Sequence, residues 1–349
     1  EAESPISQKT ERVIDDLPTE PVESKVASIT EIQKLVAEGG ASLHLELSDT
    51  GLIGMGAATV NARLSWDGQD SKKAEELVAA GGFGCWDQKN LNRRLAALGL
   101  SLGPTESDAL LAAYVTDPTT KDLLPDVLIR QYAGIDIVRQ DANQLLAETD
   151  PSLDAWIYAV LCKVLEPELV VDEQDAVYRE IEMPVARVLS EMEITGIAVD
   201  KTILQSQFDS LTEEVDQIAR QAYEIIGHEV NLASPKQLQT VLFEELGMQG
   251  TKSVKTGFST NAEALNTLYE QTEHPFLERL LAHRDSTKLR QITETLLKAV
   301  EADGRIHTTY SQTGTSTGRL SSENPNLQNI PIKTERGQRL RSAFVAGQG

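Results

Sequence analysis

T-G-R-L-S-S-E-N-P-N-L-Q-N, residues 317–329, is the stretch that decides how the chain is read. It holds one fixed cation, Arg319, and neutral amides at Asn324, Asn326, Gln328 and Asn329. Gly318 and Pro325 interrupt any regular element, and Leu320 and Leu327 are its only apolar residues. Such a segment is neither a core strand nor an amphipathic helix. Planar donors and acceptors, rather than carboxylates, suit gripping a polar partner such as the edges of base pairs. An ordinary Asn/Ser/Pro loop has the same composition, so the surrounding chain must decide between the two.

With 349 residues, 40% of them hydrophobic and 25% charged, the chain is long enough for two or three domains with good cores. No run approaches the roughly 20 apolar residues of a membrane span. The opening residues E-A-E-S-P-I-S-Q-K-T-E-R lack the basic and apolar regions of a signal peptide, so a cytoplasmic protein is expected. The missing initiator Met suggests a trimmed sequence or an internal fragment. Cys85 and Cys162 show no metal spacing and read as reduced structural thiols. The net charge of −22 argues against nucleic acid, but its distribution does not. From Arg279 onward 11 Lys/Arg face 6 Asp/Glu, a net of +5, which leaves −27 on residues 1–278. A basic end on an acidic body points to polyanion binding at that end.

Residues 1–25 are acidic, Pro-containing and aperiodic, and read as a linker. Strand-like segments at 42–47, 52–60 and 62–66 predict a three-stranded meander. Helix 71–80, a buried strand at 83–86, and helices at 90–98, 108–114, 122–132 and 151–165 follow. Together they predict an α/β domain over 26–175. The rest is mainly α: a periodic helix at 177–195 stopped by Gly196, and a long helix from the cap Asp200 to Gly227, expected to pair as an antiparallel hairpin. Ser234-Pro235-Lys236-Gln237 and Thr260 with Glu263 read as capping boxes. A last helix at 275–301 leads into an extended run at 305–311.

Several groups suit phosphate. Lys252 and Lys255 lie in a hydroxyl-rich loop without carboxylates, which a plain solvated loop would match equally. Arg284 and Lys288 share a helix face, where salt-bridged surface is the plainer reading. Lys333, Arg336, Arg339 and Arg341 form a denser cluster that favours a polyanion. There is no phosphate loop of the G-x-x-x-x-G-K-[ST] type, and the five histidines lack ligand spacing. His44-x-Glu46 is similar to the H-x-E of zinc deaminases, but no P-C-x-x-C follows it.

T-S-T-G-R-L-S-S-E-N-P-N-L-Q-N-I-P-I-K-T (315–334) and G-Q-R-L-R-S-A-F-V (337–345) resemble the segment entering the palm of family A DNA polymerases of the bacterial polymerase I group. The wording is closest to actinobacterial members. The resemblance runs upstream through Leu232–Leu238, L-F-E-E-L-G, K-T-G-F-S-T, H-R-D-S-T-K-L and R-I-H-T-T-Y-S-Q-T. It implies a thumb over 176–303 and the start of a palm over 304–349. Arg319 would lie in the minor groove at the primer terminus, near the incoming nucleotide. Asn326, Gln328 and Asn329 would contact the primer–template duplex, and Lys333 and Arg341 would support it. Lys252, Lys255, Arg284 and Lys288 would hold duplex phosphates, with Asn231 and Ser234 as neutral contacts.

The same resemblance makes 26–175 an RNase H-like domain of the 3′–5′ exonuclease type, whose chemistry needs four carboxylates on two metal ions. His44-Leu45-Glu46 stands where the family has Asp-x-Glu. Asn90-Leu91-Asn92 covers the second acidic position, and near the third only Asp154 is acidic. Proofreading and metal binding by this fragment are therefore expected to be absent. Gly349 precedes the family's palm Asp, its fingers and its H-D-E carboxylates, so the fragment alone is expected not to polymerise. Its implied partners are primer–template DNA, a dNTP, Mg²⁺ bound outside these residues and the C-terminal palm and fingers, in the nucleoid and without a membrane. The rivals are a surviving exonuclease using Glu46, Asp87 and Asp154, and a non-enzymatic DNA-binding scaffold.

Overall fold

The computed structural model describes residues 16–139, 150–250, 253–254 and 257–347. The fold is mixed α/β and divides into two compact units, Glu1–Thr195 with Thr309–Ser322, and Gly196–Thr308 with Glu323–Gly349.

Six strands organise the first unit: β1 (Ser24–Ala27), β2 (Ser42–Ser48), β3 (Gly51–Thr59), β4 (Ala62–Trp66), β5 (Gly84–Cys85) and β6 (Ser107–Asp108), in the order β1-β4-β3-β2-β5-β6. β2, β3 and β4 form the expected antiparallel meander, with Leu45 opposite Met55 and Ala57 opposite Leu64. β1, β5 and β6 join it in parallel. Successive side chains of a strand face opposite sides. Met55 and Ala57 enter a core with helices α1 (Ile29–Ala37), α2 (Ser71–Ala80) and α3 (Gln88–Ala97). Ala58 enters the other, with α4 (Ala109–Thr116), α5 (Pro125–Ala133) and α6 (Pro151–Val171).

α6 is apolar on nearly every face, the mark of a buried helix. Asp150 caps it and pairs with the buried Arg63 of β4. A Cβ on Gly56 would fall 2.1 Å from the Pro151 carbonyl carbon, so the helix start rests directly on β3. Asp108 joins two other helices. Its carboxylate accepts from the N–H groups of Asp87 (3.0 Å) and Gln88 (2.8 Å) at the start of α3, and of Leu110 (3.0 Å) and Leu111 (3.4 Å) at the start of α4. One buried side chain thus satisfies four N–H groups at two helix N-termini, which have no partners within their own helices.

Helix α7 (Met183–Thr195), after a π-helical turn at Val177–Glu182, departs from expectation. It belongs to the first unit and packs on α3, through Lys89–Glu193 (2.7 Å) and Asn92–Ser190 (3.0 Å), instead of forming a hairpin with the helix after it. Its inward face is Ala186, Leu189, Ser190 and Glu193, and that partly polar set needs partners which α3 supplies.

In the second unit β7 (Ile197–Ala198) precedes α8 (Lys201–Ile226), which Asp200 caps and Gly227 ends at φ 83°. After α9 (Pro235–Gln239) come the short pair β8 (Ser253–Val254) and β9 (Gly257–Phe258), then α10 (Ala262–Thr272) and α11 (Pro275–Ala299). α8 packs along α11, burying Leu204 and Leu211 with Leu289 and Leu296. Asn261 rather than Thr260 caps α10, by accepting from the Ala264 N–H at 2.9 Å. β10 (Arg305–Ile306) pairs antiparallel with β7. β11 (Thr309–Ser311), β12 (Ser321–Glu323) and α12 (Glu335–Arg341) complete the chain, so the single extended run expected at 305–311 is two short strands. Among the described residues no helix is long and apolar enough to cross a membrane.

Asp108→Ala is expected to lower the stability of the first unit by about 3 kcal/mol, because the buried N–H groups lose their acceptor. Urea denaturation checks this, and a loss below about 0.5 kcal/mol would mean that those groups find other acceptors.

Candidate nucleic-acid interface

Arg319 sits in the turn between β11 and β12, which pair with each other. Gly318, at φ 74°, provides the left-handed bend before it. The Thr315 hydroxyl accepts from the Arg319 N–H at 3.1 Å and donates to the Arg319 carbonyl at 2.8 Å. Tyr114 of α4 donates its hydroxyl to the Thr315 carbonyl at 2.8 Å. The main chain at Arg319 is therefore held from both sides, while its side chain is exposed and in no ion pair among the described residues. Tyr114 was not foreseen from the sequence. It lies 201 positions from Thr315, and no local pattern signals the contact.

The remaining expected contact residues belong to the second unit. Thr308 is buried, and its hydroxyl lies 3.0 Å from the Glu323 carbonyl and 2.9 Å from that of Pro325, sharing its proton between them. Asn326 caps the 3₁₀ turn Leu327–Asn329 by accepting from the Gln328 N–H at 2.9 Å. Gln328 and Asn329 are exposed. In the basic cluster, Arg336 pairs with Glu214 (2.6 Å) and donates to Ser286 (2.8 Å), and Arg339 pairs with Glu335 (2.6 Å). Lys333 and Arg341 are exposed and make no ion pair among the described residues.

Lys288 is exposed on α11, and Arg284 stands one turn before it. Arg284 is turned inward, donating to the Thr260 carbonyl at 2.6 Å, and burial pulls its pKa below the ordinary arginine value. The Asn231 side chain accepts from the Ala233 N–H at 2.9 Å, and the Asn231 main-chain N–H donates to the Gln237 side-chain oxygen at 2.7 Å. Ser234 caps α9. Lys252 and Lys255 lie outside the described residues.

On the sheet of the first unit, His44 of β2 has its Nδ1 3.0 Å from the Tyr158 hydroxyl. Burial lowers its pKa, against the opposing pull of Asp154 and Glu46, which favours a neutral ring. Asp154 is paired with Arg139 at 2.6 Å, and the same guanidinium makes a two-pronged bond to Asp126 at 2.6 and 2.7 Å. Asp87 caps α3 by accepting from the Asn90 N–H at 3.0 Å, and Asn92 donates to Ser190. No group of three or more His, Cys, Asp and Glu among the described residues could hold a metal ion. Among the described residues Glu46, Asp87 and Asp154 thus do not assemble into such a set. The part played by Arg139 was missed from the sequence, because a lone arginine in a connecting segment carries no signal of its partner.

The family description DNA polymerase family A matches residues 201–349. DNA polymerase I of Mycobacterium tuberculosis (strain ATCC 25618 / H37Rv) is 46% identical over 270 residues, which cover 73% of this chain and 30% of the relative. DNA polymerase I of Geobacillus stearothermophilus is 36% identical over 298 residues, 82% of this chain and 33% of the relative. The chain therefore spans about a third of the length of these relatives. A solved POL domain of Pol1 from M. smegmatis, in complex with a DNA primer–template and a dNTP, superposes with a TM-score of 0.82 at 35% identity. That match covers 94% of this chain and 59% of the solved one. With the family description over its C-terminal part and the polymerase relatives over most of its length, the chain belongs to the family A DNA polymerases.

Proposed function

We propose that these residues supply duplex grip and primer-end checking to a template-directed DNA polymerase of replication and repair, working in the nucleoid. The observation that carries this reading is the stretch 319–341. There Arg319, Asn326, Gln328, Asn329, Lys333 and Arg341 are all exposed while the other cations of the stretch, Arg336 and Arg339, are tied into ion pairs. Every base pair offers an acceptor in the minor groove, purine N3 or pyrimidine O2. A guanidinium there can test pairing geometry without naming the base. Lys333, Arg341 and Lys288 would meet phosphates, which hold the duplex without reading its sequence. Lys252, Lys255, Arg284, Asn231 and Ser234 complete the proposed grip, with Arg284, Asn231 and Ser234 acting chiefly by shaping the surface.

In this reading 26–175 is an RNase H-like, exonuclease-type domain, 176–303 a thumb and 304–349 the start of a palm. The C-terminal palm and fingers of the same polymerase would provide the dNTP site. That portion would also hold the Mg²⁺, whose chemistry there would be to acidify the primer 3′-OH and stabilise the departing pyrophosphate. The α/β domain would contribute no proofreading. A guanidinium already shares Asp126 and Asp154, and a half-buried imidazole stands in place of a carboxylate at His44.

Purified residues 1–349 should bind primer–template with salt-dependent affinity and leave it unextended in Mg²⁺ and dNTPs; template-dependent extension by these residues alone would sink the division of labour. Single-stranded DNA should survive incubation with the chain and Mg²⁺, and Glu46→Gln should change nothing. Mg²⁺-dependent degradation abolished by Glu46→Gln would instead favour the exonuclease. In the complete polymerase Arg319→Ala should cut kcat/KM for extension by about 10- to 100-fold while DNA affinity changes by less than about three-fold. Extension at wild-type rates would remove Arg319 from the primer end.

A further inference from the structure

Tyr114 is 4% exposed, and its ring lies in the core shared by α4, α5 and α6. Only its hydroxyl leaves that core, to reach the Thr315 carbonyl at 2.8 Å. The Thr315 hydroxyl in turn brackets Arg319, accepting from its N–H and donating to its carbonyl. The base of the same hairpin is held independently. Glu193 accepts from the Tyr310 N–H at 2.8 Å while paired with Lys89 at 2.7 Å, and the Gln312 amide donates to the Glu182 carboxylate at 2.7 Å. Segment Thr309–Ser322 accordingly falls in the compact unit of the α/β body.

We infer that Tyr114 and Thr315 are positioning residues for Arg319, and that the α/β domain is retained to hold the primer-end cation. The inference rests on the reading of Arg319 as a primer-end contact. A guanidinium on four rotatable bonds selects one geometry only if its own Cα is fixed. The two hydroxyls fix it from a rigid core, and nothing in that arrangement needs the carboxylates of a nuclease.

The test uses the complete polymerase and compares extension from matched and mismatched primer termini, with DNA Kd and Tm measured alongside. Tyr114→Phe and Thr315→Val each remove one hydroxyl while keeping the shape of the side chain. Each should lower the preference for a matched terminus about five-fold, the worth of one hydrogen bond. Thr315→Ser, which keeps the hydroxyl, should stay within about two-fold of wild type, and Kd should move by less than about two-fold. Tyr114→Phe combined with Arg319→Ala should be no worse than Arg319→Ala alone, because the relay acts only through that side chain. Wild-type discrimination in Tyr114→Phe and Thr315→Val, with discrimination lost in Arg319→Ala, would overturn the relay and leave the primer-end role standing. A double variant worse than Arg319→Ala by the full five-fold would overturn the relay too. Unchanged discrimination in Arg319→Ala would overturn the primer-end role itself, and the relay with it. If Tyr114→Phe fails to fold, Thr315→Val against Thr315→Ser carries the same comparison at the surface.

Discussion

A side chain at position 56 would lie 2.1 Å from the backbone of Pro151, so β3 and α6 can meet as they do only through glycine. Much of the first unit follows from that approach. α6 brings an apolar surface on almost every side to the sheet, and such a helix has to be enclosed. α4 and α5 enclose it, with Tyr178 from the π-helical turn. This packing sets Tyr158 against the ring of Trp86, with centroids 5.8 Å apart, and brings its hydroxyl to His44. It also immobilises the ring of Tyr114. One backbone contact therefore lies behind both the His44–Tyr158 pair and the anchor of the Arg319 turn.

The charges carried by α5 and α6 are electrostatically self-consistent. A metal pair demands several carboxylates whose charge is otherwise unbalanced, and their mutual repulsion is relieved only by the ions. Here Asp126 and Asp154 share the Arg139 guanidinium, which supplies a fixed positive charge with matching fork geometry. The pairs are partly exposed, so each stabilises by no more than about 1 kcal/mol. They nevertheless remove the unbalanced charge that would attract a divalent cation. His44, hydrogen-bonded to Tyr158 and pushed toward its neutral form by burial, adds no negative charge.

The sequence was legible where structure is local. The meander is marked by alternation, and α8 by its apolar spacing, the cap Asp200 and the stop Gly227. Family wording made the polymerase assignment readable at 315–345. What stayed hidden depends on separation along the chain. Amphipathicity says that a helix has an apolar face but not which helix covers it, so α8 was expected beside the preceding helix and instead packs on α11. Thr260 and Asn261 are adjacent cap formers, and only the fold decides that Asn261 caps α10 while Thr260 gives its carbonyl to Arg284. Asp108 reads as the first residue of one helix, whereas it serves two. In the basic cluster, composition could not separate paired cations from available ones.

That separation bears on how an acidic chain would meet the polyanion proposed for it. Residues 1–278 carry a net −27, and at physiological ionic strength charges beyond about 8 Å are largely screened. The body's charge would therefore matter less to a bound duplex than the few cations at the proposed contact. Between 333 and 341 the fold uses Arg336 to bridge α12 to Glu214 on α8 and Ser286 on α11, and Arg339 to pair within α12. Arg336 braces the segment, and Arg339 is paired within it. Lys333 and Arg341, flanking them, keep their charge for solvent. Exchanging the roles would leave Glu214 without its cation. The spacing of the four basic residues thus encodes a brace with a charge on either side of it.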